Sequence, residues 1–469
     1  MPLSTYIEVK KRINDKILYS LKPSPIRNPI MADHKNLRSA FIIVTILFFL
    51  WGFITVLVDA LIPRLRDIFE LSYFQAGLVQ FAFFTAYALI SVPSGFLIAK
   101  IGYQKGAVVG LLVMALACVL FYPAASFRVF ELFLLALFVL AGGMTVLQVA
   151  ANPYVAALGE PSTAASRLNL SQAFNSLGTT LAPLVSAAFI LGSTVLDKEE
   201  IAQMTFEARD LYYQTEAAAV QVPFVVLAAI LAIVALMFAL IKLPKMLESD
   251  HHLSGSYRAA LKHKPLVFGA IGIFVYVGAE VTIGSYLVNY FLDLDIKTIV
   301  ASAPFMDAAV QFLSGSTPGE LNVERLAGTF VFFYWGGAMV GRFVGSWIQL
   351  YIAPSKLLGV YAIVNIALLI ITMNSAGSGA VWSVLMVGLF NSIMFPTIFT
   401  LAIDGMGENT AQASGVLCTA IVGGAIIPPV YGAVADSVGL QLAFLVPIIC
   451  YAFISWYGFK GVNTGKLRA

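Results

Sequence analysis

From residue 39 onward the chain alternates long apolar runs with short polar joints. Twelve of the runs are long enough to cross about 30 Å of hydrocarbon as helices: 39–63, 72–99, 104–125, 129–158, 166–193, 217–242, 265–292, 324–350, 355–374, 379–403, 411–436 and 439–459. Two joints are long, 194–216 and 293–323, and a third, 243–264, is basic and falls between the sixth and seventh runs. The pattern predicts an all-α integral membrane protein whose twelve transmembrane helices form two pseudo-symmetric six-helix bundles. The divisions expected are a tail over 1–38, a first half over 39–242, a linker over 243–264, a second half over 265–460 and a tail over 461–469.

The second half echoes the first. Gln148, Pro153 and Leu158 in the fourth run match Asn391, Pro396 and Leu401 in the tenth, at a constant offset of 243. Gly178 and Pro183 in the fifth run match Gly423 and Pro428 in the eleventh, and Gly95 near the end of the second matches Gly345 in the eighth. Three matches in the proper order predict an internal duplication, the layout of an alternating-access transporter.

The densest polar chemistry lies between Gly142 and Pro183, and it consists of amides: Gln148, Asn152, Asn169, Gln172 and Asn175. Gln148 and Asn152 are four apart and Gln172 and Asn175 three apart, so each pair shares a helix face. Pro153 and Pro183 are expected to interrupt the two helices, and Gly142, Gly143 and Gly178 to let neighbouring backbones approach closely. Buried amides need hydrogen-bond partners. They serve either as glue between helices or as the wall of a polar cavity for a neutral, polyhydroxylated ligand. Gln80, Asn289, Tyr290 and Asn391 extend the set of candidate binding residues into other runs, and Trp51, Phe83, Phe84, Tyr87, Tyr286 and Tyr334 are aromatic surfaces on which a sugar face can stack.

Composition and charge support a membrane location. The chain is 59% hydrophobic and 11% charged, with a mean hydropathy of +0.88, against roughly 25% charged residues in a soluble domain. With both ends cytoplasmic, 21 of 28 basic residues fall inside and 15 of 25 acidic residues outside, which predicts N-in and C-in. The first thirty residues carry Lys10, Lys11, Arg12 and Lys16 without a continuous apolar stretch, unlike a secretory signal peptide, and Met31 looks like a natural start. Cys118, Cys418 and Cys450 all lie in apolar runs, which makes neither a disulfide nor a metal site expected. No GxxxxGK phosphate loop is present, so direct drive by ATP is not expected. No metal-binding His–Glu motif or Ser/His/acid arrangement lies within the runs, so an enzyme is not expected either.

Only Asp59 and Glu280 are acids well inside apolar runs, each in the first run of its half. A charge at the bilayer centre costs roughly 2.5–3.5 kcal/mol on insertion scales. Such an acid is therefore either held by a structural neighbour or functional, taking a cation from one side and releasing it on the other. Arg342 and Lys100 are placed near the inner ends of their helices, so no basic residue is expected to pair with either acid within the membrane. An anionic ligand is accordingly not expected.

Taken together these residues resemble the fucose–proton symporter family of the major facilitator superfamily, and within it the glucose/galactose permease branch. The strings that carry the resemblance are FFLWGF and LVDALIP in the first run, SYFQAGLVQFAFFTAYALISVPSG in the second, LQVAANPYVAALG and SRLNLSQAFNSLGTTLAP in the fourth and fifth, YVGAEVTIGSYLVNY in the seventh and FNSIMFPTIFTLAI in the tenth. They cover about 39–460. The resemblance implies the twelve-helix fold of that superfamily and cation-coupled uptake of a small neutral monosaccharide, with H+ or Na+ as the coupling ion and no other cofactor. It further implies a monomer in a bacterial-type inner membrane, with no nucleic-acid partner. The family's coupling acid in the first run falls on Asp59. The acid that fucose symporters carry in the fourth run falls on Gln148, which does not titrate, while Glu280 stands where they resemble an amide. Ala99 replaces the superfamily's usual Asp after the second run, although Gly95, Gly102 and Lys105 keep the outline of that motif.

The function expected is therefore secondary active uptake of a hexose of the glucose/galactose type. N-acetylglucosamine, fucose and uncoupled facilitated diffusion remain alternatives. One charge crossing 100 mV is worth about 2.3 kcal/mol, enough for accumulation of about forty-fold at about 1.4 kcal/mol per tenfold. Replacing Asp59 with Asn is expected to abolish accumulation in loaded vesicles while exchange between equal sugar pools stays measurable. Loss of exchange as well would give Asp59 a role in folding or binding instead.

Overall fold

Inside hydrocarbon no water is available to backbone N–H and C=O groups, so spanning segments must satisfy them internally as helices. The computed structural model describes residues 34–68, 73–127, 129–189, 203–245 and 255–463, and these are almost wholly helical. The first half comprises α1 (His34–Ile68), α2 (Tyr73–Ile101), α3 (Tyr103–Phe127), α4 (Phe130–Ala157), α5 (Ala164–Phe189) and α6 (Phe206–Leu240). A short helix, α7 (Tyr257–Ala260), precedes the second half. There α8 (Lys264–Asp293), α11 (Val323–Ile348) and α12 (Pro354–Asn374) are continuous. The tenth span is broken into α13 (Gly377–Asn391) and α14 (Met394–Ile403), and the eleventh into α15 (Thr410–Thr419), a 3-10 turn and α16 (Gly423–Val438). The last span is α17 (Leu440–Ala443) followed by α18 (Leu445–Phe459).

Ten helical spans among the described residues are long and apolar enough to cross a membrane. The other two of the twelve, α5 and α11, have the length but carry the polar load. The first holds Arg167, Asn169, Gln172 and Asn175, and the second holds Glu324, Arg325 and Arg342. Helices that line a polar interior are the ones whose sequences look least like membrane helices.

Helix pairing shows the duplication directly. In the first half α1 packs on α5, α2 on α4, and α3 on both α4 and α6. In the second α8 packs on α16, α11 on α13, and α12 on both α13 and α18. Contacts between the halves obey the same symmetry, with α2 against α15 and α5 against α11. Two of the three glycines expected at close contacts are there. A Cβ on Gly143 would lie 2.8 Å from the Gly110 carbonyl oxygen, and one on Gly178 only 2.3 Å from that of Phe49. Gly142 differs, because a Cβ there would meet Ile90 at an ordinary 3.7 Å.

The structure departs from expectation at three places. The joint 293–323 is not open loop but contains α9 (Ile296–Ser302) and α10 (Pro304–Ser314), set at 110° to one another, and α6 starts well before 217. Pro153 lies inside an unbroken α4, and α5 runs past Pro183. A proline still removes the N–H that would bond the carbonyl four residues earlier, and at two matching prolines, Pro153 and Pro396, the freed carbonyl finds another donor. Opposite Pro153, the Val149 oxygen accepts from the Ser414 hydroxyl of the second half at 2.9 Å. Opposite the equivalent Pro396, the Ser392 oxygen accepts from Arg342 Nε at 3.2 Å.

The glycine geometry separates two substitutions that sequence alone would treat alike. Gly178→Val forces a side chain into the α1 backbone and is expected to lower thermal stability, overpacking of this kind costing about 1–3 kcal/mol. Gly142→Ala is expected to leave the unfolding midpoint of the purified protein nearly unchanged.

Candidate functional site

Helices of both halves converge on a cavity of about 190 Å3. That is small beside the roughly 300–1,000 Å3 of sites for drug-sized ligands, and it suits a compact one. From the first half it is lined by Trp51 of α1, Gln148 of α4, and Gln172 and Asn175 of α5. From the second come Tyr276 and Glu280 of α8 and Arg342 of α11, with Val277, Phe395, Pro396 and Ile421 as an apolar floor. Phe395 and Pro396 follow the break between α13 and α14, and Ile421 lies in the turn between α15 and α16.

The amides are anchored through their NH2 groups. Gln148 Nε2 donates to the Tyr87 hydroxyl at 2.5 Å, Gln172 Nε2 to Asn152 Oδ1 at 3.5 Å, and Asn175 Nδ2 to the Phe48 carbonyl at 2.9 Å. Those bonds leave the carbonyl oxygens of Gln148, Gln172 and Asn175 as acceptors for hydroxyl donors of a ligand. Opposite them stands the one charged pair that lines the cavity among the described residues. Glu280 Oε1 accepts from the Tyr276 hydroxyl at 2.7 Å and lies 3.9 Å from Arg342 Nη2. Arg342 also hydrogen-bonds Ser176 of α5 through Nη1, so one guanidinium touches both halves. Acceptors on one wall, and a paired acceptor and donor on the other, can hold a ligand bearing several hydroxyls without giving it a charge to neutralise.

The other candidates fall elsewhere. Asn152 is fully buried behind Gln172 and does not line the cavity, and its Nδ2 has no hydrogen-bond partner. Asn391 is also buried one layer back. It donates to the Tyr334 hydroxyl at 2.9 Å and accepts from Tyr451 at 2.7 Å and Asn365 at 2.8 Å. Tyr334 in turn donates to the Glu280 backbone carbonyl at 3.3 Å, so this cluster braces the helix that carries the acid. Asn289 is exposed and lines no part of the cavity. Tyr290 is buried against Phe444, with its hydroxyl on the Thr372 carbonyl at 3.4 Å, and is a packing residue. Asp59 and Gln80 sit on helical backbone, but their side chains lie outside the described residues.

Arg342 is the main correction. Its place near the inner end of a run made it look like a residue that reaches back to water. The helix ends at Ile348, which sets Arg342 about 9 Å inside at 1.5 Å per residue, and its side chain turns into the bundle. The usable signal was the paired glycines and alanine of GGAMVGR, a thin helix face that admits a large polar side chain between helices. The expectation that no basic residue pairs with a membrane acid therefore fails for Glu280. A neutral ligand still fits, because the guanidinium and the carboxylate cancel.

A family model described as the Major Facilitator Superfamily matches residues 40–421. The chain is 50% identical over 441 residues to a protein of Brucella abortus named glucose/galactose transporter, covering 93% of this chain and 98% of that one. It is 35% identical over 423 residues to the L-fucose-proton symporter of Escherichia coli, covering 88% and 91%. Among solved structures, the fold matches FucP in the outward conformation with a TM-score of 0.78 and 33% identity, over 89% of this chain and 97% of that one.

Glu280 and Arg342 are little exposed, at 13% and 17% of their side-chain surface. Removing one member of such a pair leaves a lone charge in a low dielectric, whereas removing both does not. In thermal unfolding, Arg342→Gln alone is expected to destabilise the protein more than the double change Glu280→Gln with Arg342→Gln. Additive losses in the double variant would mean that the two groups do not interact.

Proposed function

The chain belongs to the Major Facilitator Superfamily, and we propose that it carries a neutral hexose of the glucose/galactose type across a bacterial inner membrane together with a proton, by alternating access. The observation that carries this reading is the shared cavity. Three amide carbonyls and a tryptophan from the first half face a glutamate–arginine pair from the second. The relatives' names support the sugar class and the choice of a proton.

In this reading a proton enters at Asp59, assisted by Glu280, and the hexose hydroxyls donate to Gln148, Gln172 and Asn175. Asn152 holds Gln172 in place, and Asn391 supports the α8 wall rather than touching the sugar. Gln148 and Glu280 line the same space from opposite halves. An acid moved from α4 to α8 therefore still reaches the same ligand.

Hydrogen bonds between the halves cluster at the end where α7 lies. Ser166 donates to the Ser346 carbonyl at 2.6 Å, Asn169 to Gln349 at 2.6 Å, and Ser414 to Val149 at 2.9 Å. We take this as the cytoplasmic end, with N- and C-termini inside and the protein monomeric. The conformation is then closed inwards and open outwards, in keeping with the likeness to an outward-facing transporter. The halves 39–242 and 265–460 would rock about the cavity, joined through 243–264.

Purified protein in vesicles provides the test. Addition of sugar is expected to alkalinise the outer medium without any requirement for sodium, and counterflow should rank glucose and galactose above fucose, mannose and N-acetylglucosamine. An absolute sodium requirement with no pH change would reject proton coupling, and preference for another sugar in the panel would reject the proposed substrate.

A further inference from the structure

The chain that joins the two halves ends in a segment that is bonded to both. Tyr257, the first residue of α7, donates its hydroxyl to the Val92 carbonyl of α2 at 2.5 Å and packs its ring on Phe96, with centroids 4.7 Å apart. Both contacts are to the first half. Its two predecessors are tied to the second half: Ser256 N–H donates to Asn409 Oδ1 at 2.9 Å, and the Gly255 carbonyl accepts from Gln412 Nε2 at 2.9 Å. Gln412 is itself buried, and its Oε1 has no partner.

The helices on either side are cut back to receive this phenol. A Cβ on Gly95 of α2 would lie 2.2 Å from the Tyr257 hydroxyl oxygen, and one on Gly415 of α15 would lie 2.8 Å from it. The hydroxyl thus sits in a slot between two glycines, one from each half, at the seam where α2 meets α15. Burial raises the Tyr257 hydroxyl above its ordinary pKa, so it remains a donor throughout the physiological range. Three successive residues bridging two rigid bodies are more than a tether needs. The seam cannot part while Gly255, Ser256 and Tyr257 keep all of these bonds.

We propose that Gly255–Tyr257 is a removable bolt, in which Tyr257 locks α2 to α15 in the state closed at this end and must leave the Gly95–Gly415 slot before the protein opens there. Tyr257 is a positioning residue on this account. It touches no ligand, and it sets how much of the population is open at the linker end. The proposal rests on the alternating-access reading but not on the identity of the sugar or the ion.

Cys418 offers a reporter already in place, since it is fully buried on α15 beside this seam. With Cys118 and Cys450 replaced by Ala in the full-length chain, the labelling rate of Cys418 is read in vesicles without sugar. A membrane-impermeant maleimide is applied from the linker side. Tyr257→Phe keeps the ring and loses the hydroxyl bond, and it is expected to raise the rate about two- to tenfold, the population shift that one net hydrogen bond gives. Tyr257→Ala should raise it further. Asn409→Ala should also raise it, and the increase in the double variant with Tyr257→Phe should be smaller than the product of the two single increases, because both act by freeing one segment. A parallel protein whose only thiol is Cys118, buried within α3 of the first half, should show no increase, which separates opening of the seam from general loosening. Unchanged Cys418 labelling in Tyr257→Phe and Tyr257→Ala would overturn the proposal, as would equal increases at Cys118. Transport of a different sugar or ion would overturn only the preceding reading.

Discussion

A polar group placed in hydrocarbon has two refuges, a partner in the protein or a space that holds water, and this molecule is sorted by that choice. The bundle's outer surface carries exposed Leu, Ile, Val and Phe side chains. Amides, hydroxyls and the Glu280–Arg342 pair are drawn inside the bundle. Some are paired within one half, as Thr45 is with Ser171 at 3.0 Å and Asn391 with Tyr334 and Tyr451, and others across the seam, as Asn169 is with Gln349. Gln148, Gln172 and Asn175, whose amide oxygens are left as acceptors, line one small cavity. Ligand binding and closure of the seam thus draw on the same limited stock of polar side chains.

The symmetry of the fold sharpens this point. Equivalent helix pairs meet in both halves, and the contacts between halves are exchanged by the same operation. The chemistry is not symmetric, however. The first half contributes neutral acceptors to the cavity, and the second contributes the charged pair. Backbone continuity differs too, since α4 and α5 run unbroken while their counterparts are interrupted at Ser392–Ile393 and Ala420–Val422. A duplicated scaffold thus presents uncharged hydrogen-bonding groups on one side of the cavity and a charged pair on the other.

Much of this was legible in the residues. Hydrophobic runs located the spans, the offset of 243 revealed the repeat, and the spacing of Gln172 and Asn175 put both on a face that lines the cavity, whereas of the pair Gln148 and Asn152 only Gln148 does. Depth was harder to read. Asn289 and Tyr290 belong to the same helix as Glu280, but at one turn per 3.6 residues they lie well along it, past the cavity and on other faces. Arg342 was misjudged because a long side chain near a helix end can turn either way, and only the packing of α11 on α5 decides which. The breaks in the tenth and eleventh spans are also tertiary in origin, since their first-half counterparts carry prolines at matching positions without breaking.

Those matching prolines bear on how the sequence is free to drift. A proline in a membrane helix is usually taken as punctuation, yet Pro153 and Pro396 each act as a supplier of one lone pair that the helix no longer needs. Ser414 and Arg342 are the takers. Each donor is thereby bound to a residue on another helix, 265 positions away for Ser414 and 50 for Arg342. Loss of Pro153 would return the Val149 carbonyl to its own helix and strand the Ser414 hydroxyl, so positions 153 and 414 are coupled, whereas Arg342 keeps Glu280 and Ser176 whatever stands at 396.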